Sequence, residues 1–152
     1  MPAPDIGLIK PLLVGMGTVV GTVPIHAAGV SAILLFFRRE KGRGVAGTQF
    51  FKNVLVLSTV VVMALLSHLA QIAVWGLVFI ACGEFEAFST AFYHSAMNYT
   101  TLGYGDIVMS PPWRLLGPLE AAEGMLMFGV SIAVLVGIIT QMAEMRLHIH
   151  AQ

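Results

Sequence analysis

The chain has 152 residues, 57% of them hydrophobic and 11% charged, with a formal net charge of zero. Ordinary soluble domains carry roughly 25% charged residues, so this much apolar surface points to lipid and to an integral membrane protein. The charge balance offers no basic face for nucleic acid, and the single cysteine, Cys82, allows no intrachain disulfide.

The N-terminus has no basic run ahead of its first apolar stretch, places Asp5 there instead, and lacks Gly at position 2. Neither a signal peptide nor myristoylation is therefore expected. A hydrocarbon core of about 30 Å takes about 20 apolar residues in a helix, and three segments meet that length. The first covers residues 6–37 and contains Pro11, Pro24 and His26. Its Gly17 and Gly21 have the G-x-x-x-G spacing that lets helices approach closely. Ordinary packing against the second helix is the plainer reading, and a grip on the rest of the molecule or a partner is the other. No Arg lies between Lys10 and Arg38, so this helix is not a voltage sensor.

The second span covers residues 54–82. Its His68 and Gln71, three apart, share a helix face at a depth comparable to His26, with Trp75 one turn further on. Hydrogen bonding to the first helix is one reading; tuning by histidines that titrate near physiological pH is the other. Cys82 reads as a small packed hydrophobe. The connection between these two spans holds Arg38, Arg39, Lys41, Arg43 and Lys52, whereas the next connection holds only Arg114. The excess of positive charge places the first connection in the cytoplasm. The N-terminus then lies outside, residues 83–114 lie on the outer side, and the C-terminus with Arg146 lies inside.

Residues 83–113 are too polar and too short to span. Phe88, Phe92, Ser95, Ala96 and Tyr99 recur at helical spacing, and a glycine-rich loop follows. A short helix plus irregular backbone at membrane depth is tolerated only where protein buries it or water lines it, which predicts a re-entrant pore helix and loop over 87–106. The third span covers 115–142 and carries Glu120 and Glu123 on one face near its start. The fold expected is therefore all-α: a single membrane domain over 1–152, with three transmembrane helices and a re-entrant helix, and no soluble module before or after. His26, His68, His148 and His150 show no ligand spacing with a carboxylate or thiol, so no metal centre or cofactor is expected.

The loop Thr100-Thr101-Leu102-Gly103-Tyr104-Gly105-Asp106 suits one task. Replacing the water shell of a potassium ion requires a stack of protein oxygens, and rings of backbone carbonyls supply it. Carbonyls that point toward one axis need alternating torsions, and Gly103 and Gly105, two apart, reach the left-handed region at no steric cost. Thr101 adds a hydroxyl oxygen, Leu102 and Tyr104 turn outward against the pore helix, and Asp106 makes the mouth attractive to cations. One such loop per chain cannot form a ring, so a homotetramer is expected.

Residues Thr101 to Asp106 resemble the potassium-channel pore family, whose pattern is Thr-Val-Gly-Tyr-Gly-Asp; five of the six positions match, with Leu102 in place of valine. The resemblance runs from about Val54 to the end and is closest to small bacterial members. It implies a selectivity filter at Thr101, Leu102, Gly103, Tyr104 and Gly105, with potassium held at Thr101 to Tyr104, and outer and inner helices on either side. Trp113 and Arg114 fall where the family commonly has a Trp and an Arg. The resemblance also implies a hinge at Gly124, followed by Phe128-Gly129; Gly137 is a second bending point. Met125, Phe128, Ile132 and Val136 are expected to line an apolar cavity that gates by dewetting. The first span has no counterpart in the two-helix design.

Some family members carry a glutamate four residues before the filter threonine; here Met97 stands there. Tyr93 and His94 occupy the aromatic cuff and could bond to Tyr104. Glu120 or Glu123 is the candidate replacement for the missing carboxylate, through Asn98, His94 or a filter amide. The plainer reading is an interfacial pair partnered by Arg114 or the pore-helix N-terminus. The function expected is passive potassium conduction across the cell membrane. The alternatives are a weakly selective monovalent cation channel and a non-conducting channel-like subunit. No nucleophile–base pair or phosphate loop suggests an enzyme.

Overall fold

The computed structural model describes residues 7–43 and 50–150, with side chains through residue 145. Asp5 and the side chains of Arg146, His148 and His150 lie outside the described residues. Four helices account for the regular structure described: α1 (Ile9–Gly42), α2 (Phe50–Ala81), α3 (Phe88–Tyr99) and α4 (Leu116–His150). Ile9–Gly42, Phe50–Ala81 and Leu116–Met145 are each long and apolar enough to cross a membrane. α1 continues past Phe37 through Arg38, Arg39, Glu40 and Lys41, because these long side chains are good helix formers and nothing there breaks the turn. It also carries Pro24 in its interior, as membrane helices tolerate. α3 starts where expected: Ala87 is extended at φ −99° and ψ 130°, and the helix closes at Thr100 with its N–H on the Ala96 carbonyl.

The buried residues order the helices by depth. One apolar cluster joins Ile33 and Phe37 of α1, Val56 and Val60 of α2, and Ile138 and Met142 of α4. The other centres on Trp75, Phe79, Met109 and Leu116, with Val14 and Leu119 packed against it. Residue numbers rise from the second cluster to the first along α1 and α4 and fall along α2. α1 and α4 are therefore parallel, α2 antiparallel to both, and α3 is wedged between α2 and α4. Between the clusters lies a buried polar layer of Thr22, His26, His68, Gln71, Ser95, Glu120 and Glu123. In lipid, apolar side chains gain nothing by leaving one hydrocarbon for another, so close packing and these polar contacts hold the helices together.

The G-x-x-x-G spacing marks the wrong face of α1. Gly17 and Gly21 have nothing within 4 Å of where a Cβ would stand and line an open groove of about 680 Å³ with Val74, Val78 and Trp113. The close approaches are made instead by Gly15, whose Cβ would meet Leu119 of α4, and by Gly29, whose Cβ would meet Ser67 of α2.

Candidate functional site

The backbone after α3 turns back on the helix end. Thr101 donates its N–H to the Asn98 carbonyl at 2.8 Å, and Leu102 and Gly103 both donate to the Met97 carbonyl, at 3.0 and 3.2 Å. The last turn of α3 thereby takes the loop's donors, while no donor among the described residues binds the carbonyls of Thr101 to Gly105. Positive φ recurs at alternate positions: 59° at Thr101, 53° at Gly103 and 72° at Gly105. The glycines adopt it freely, but for a β-branched threonine it is an outlier of the kind that concentrates at functional sites. Nothing in the amino-acid pattern marked Thr101 for a left-handed conformation. Within one chain Leu102 and Tyr104 do not pack on α3; Tyr104 is 70% exposed.

Residues of α3 hold the segment that follows the loop. The Tyr93 hydroxyl donates to Asp106 Oδ2 at 2.8 Å, and this bond, at an exposed site, raises the phenol above its ordinary range. His94 is buried against Phe79 and Phe85. It pairs with Asn98 Nδ2 through Nε2 at 3.0 Å and with the Ile107 backbone. Burial pushes this imidazole below its ordinary value. Both cuff residues thus reach Asp106 and Ile107, not Tyr104, because the loop carries Tyr104 out to the surface. A cavity of about 250 Å³ lies behind the loop, lined by His94, Asn98, Gly103, Asp106, Arg114 and Gly117.

The two glutamates of α4 part company. Glu120 is fully buried and hydrogen-bonded to Ser95 in the middle of α3. Ser95 Oγ also lies 2.8 Å from the Ile72 carbonyl of α2. One hydroxyl proton faces two acceptors, and the carbonyl has none to give; a proton on Glu120 would satisfy both contacts. Glu123 accepts the Trp75 indole N–H at 2.8 Å and the Thr22 hydroxyl at 2.5 Å, and so joins α4 to α2 and α1. The plainer expectation for the pair, a partnership with Arg114 or the pore-helix N-terminus, is not met: Arg114 Nε donates to the Met109 carbonyl at 3.3 Å, and Glu120 meets the middle of α3. Trp75 bonds to α4 and not to the first helix.

Gly124 lies against the end of α3, so close that a Cβ there would collide with the Tyr99 carbonyl oxygen. Gly137 has open space around it. Met125 and Ile132 are exposed on α4 at 60% and 61%, and Val136 shares that exposure. Phe128 turns into the helix bundle, with its ring 4.4 Å from the His68 imidazole and 5.6 Å from the Tyr99 ring. Burial, with Glu123 and Glu120 nearby, raises the Tyr99 hydroxyl well above its ordinary range.

One brace escaped the sequence reading. Glu84, just after α2, accepts the Ser110 N–H at 2.7 Å and the Ser110 hydroxyl at 2.5 Å, clamping the far end of the loop. Its only signal was a carboxylate in a short connection, which residue type alone does not distinguish from a solvated charge. Ser95 carried a better signal, a small polar residue on the inward face of α3.

A family model described as Ion channel matches residues 54–141, more than half of the chain, with the whole of α3 and the loop and most of α2 and α4. No curated protein matches the chain, and no solved structure does.

Proposed function

The chain belongs to this ion-channel family, and we propose that four copies of it form a potassium-selective channel in the cell membrane. In this reading α3 is a re-entrant pore helix and Thr101 to Gly105 is the selectivity filter. The observation that carries the reading is the alternation of positive φ at Thr101, Gly103 and Gly105. Alternating torsions turn successive carbonyls to one side, and four such loops around an axis give stacked oxygen rings for a dehydrated cation. The bonds from Thr101, Leu102 and Gly103 to the end of α3 leave those carbonyls unspent. The C-terminal end of α3 also carries partial negative charge, which favours a cation below the filter.

Met125, Ile132 and Val136 form the face of α4 that lines the cavity, with Phe128 left to internal packing. The α4 helix gates by moving this apolar face. The basic end of α1 faces the cytoplasm, which leaves the filter mouth and Asp106 outside. No cofactor takes part; potassium is the permeant ligand.

The test is potassium flux into liposomes, with sodium in parallel and barium as blocker, for the wild type and Gly103→Ala. Barium-sensitive potassium flux lost in the variant is the expected result. A variant that conducts like the wild type would sink the filter assignment. Sodium flux near that of potassium decides for a weakly selective cation channel, the second reading. That reading draws on Met97 standing where a carboxylate brace could, and on Asp106 being held by the exposed Tyr93. A folded tetramer without flux decides for a non-conducting subunit.

A further inference from the structure

At the midpoint of α1, α2 and α4 lies a hydrogen-bonded chain that ends at the last residue of α3. Gln71 Nε2 lies 3.1 Å from the Ser67 carbonyl and 3.0 Å from His26 Nδ1. A carbonyl only accepts, so the amide nitrogen faces it, and the second amide hydrogen meets a bare His26 Nδ1. The His26 proton is then on Nε2, directed at Ser131 Oγ 3.4 Å away. Ser131 gives its own proton to His68 Nε2 at 3.0 Å. The His68 proton is left on Nδ1, donated to the Tyr99 hydroxyl at 3.0 Å. This order gives every bond in the chain one donor and one acceptor, from α2 through α1, α4 and α2 to α3.

Tyr99 is the last residue of α3, two before the proposed filter, and its carbonyl is the atom packed on Gly124. Its side chain has no exposure, so the position of the filter base follows the position of His68. The two imidazoles lie 5.1 Å apart between centroids, close enough that in a low-dielectric layer only one can be charged. A proton added to His26 sets an N–H against the Gln71 N–H. Gln71 Oε1, buried without a partner, is the acceptor that could swing to meet it, at the loss of the Ser67 bond. A proton added to His68 sets a second donor on Ser131. Either event breaks the order that reaches Tyr99. The other titratable group facing these rings is Tyr99 on α3, with Glu123 and Glu120 of α4 beyond it. Glu123 is held one turn away by Thr22 and Trp75, and α1 and α2 contribute no further charge at this depth.

We propose that His68 is a positioning residue for conduction, acting through Tyr99, and that the proton-ordered chain from Gln71 through His26, Ser131 and His68 makes conduction fall on acidification. The N-terminal helix then serves as the acid-sensing arm of the pore through His26. This inference rests on the channel reading.

The experiment measures potassium flux of the full chain in liposomes as a function of pH, for wild type, His26→Gln, His68→Gln and Tyr99→Phe. Wild-type flux is expected to drop about tenfold as pH falls from about 7 to about 4, the window in which histidines withdrawn from water charge. The three variants are expected to lose that dependence, and His68→Gln and Tyr99→Phe to conduct less at every pH. A pH-independent wild type that conducts potassium overturns the inference and leaves the channel reading standing, as does an unaltered pH profile in Tyr99→Phe and both histidine variants. A folded wild type without flux at any pH overturns the channel reading, and the conduction role of His68 with it. The ¹⁵N shifts of the imidazoles then test the proton order by themselves. The expected tautomers at high pH are Nδ1–H for His68 and Nε2–H for His26, and the opposite pair overturns the order.

Discussion

Glu120, in the second turn of α4, is hydrogen-bonded to Ser95 in the middle of α3, with both side chains withdrawn from solvent. The bond crosses from one flank of the loop to the other, so the helix that follows the loop fixes the helix that precedes it. If Glu120 supplies the proton that Ser95 lacks, a glutamine can replace it, because its amide N–H₂ donates in the same place. Glu120→Gln is expected to keep its oligomer and its melting temperature in detergent to within a few degrees. Glu120→Ala is expected to lose about 1–3 kcal/mol, the usual result of leaving a buried polar partner unmet. Equal losses in the two variants would argue that the group acts as a carboxylate.

Gly124 is a packing requirement. A methyl group at this position meets the Tyr99 carbonyl oxygen, and neither helix end can yield without shifting the loop. Gly124→Ala is expected to destabilise by about 1–3 kcal/mol, as overpacking does. Gly137→Ala, with open space around it, is expected to have no effect on stability. Thermal unfolding in detergent measures both. If Gly124→Ala melts like wild type, the close approach of α3 and α4 is relieved at no cost.

The face of α1 that matters can be separated by substitution. Gly17→Leu and Gly21→Leu enter open space, whereas Gly15→Leu drives into Leu119 and Gly29→Leu into Ser67. The first pair is expected to assemble normally and the second to lose assembly, read by size-exclusion profile. Loss from the first pair instead would mean that the groove beside Val74 and Trp113 is filled by another chain.

His94 is buried in neutral form, its Nε2 facing Asn98 Nδ2, and burial holds its folded pKa below the ordinary value of about 6.5. The folded state thus binds its proton less readily than the unfolded state. The stability this contributes is fully present above about pH 6.5 and is lost as pH falls from there through the lower folded value. His94→Gln is expected to weaken the acid-side decline in melting temperature. A decline unchanged in this variant would assign it to other groups.

Glu84→Gln removes the acceptor that Ser110 N–H and hydroxyl share. A loss of about 1 kcal/mol is expected, the ordinary net value of such a bond at a partly exposed site. Hydrogen exchange at the Ser110 amide is the direct measure, and an amide protected equally in the variant would show that the clamp adds nothing.

The spans, their bounds to within a few residues, and the loop between α3 and α4 were legible because each is a local property. Apolar length sets a membrane helix, and glycines two apart permit left-handed torsions at any place in any fold. Gly103 and Gly105 could be named from residue type alone. The side-chain partners were not legible, because they are set by rotation of one helix against another. A turn of about 60° about the axis of α4, with a slide of about 4.5 Å along it, would put Glu123, in place of Glu120, opposite Ser95. The same holds for α1, where Gly17 and Gly21 had the spacing for contact but Gly15 and Gly29 had the direction. His26, Gln71 and His68 were visible at comparable depth, yet their order, and the place of Ser131 and Tyr99 in it, needed the three helices in register. Thr101 is the sharpest case. Its type argues against a positive φ, and only the bonds that draw residues 101–103 onto the end of α3 hold it there.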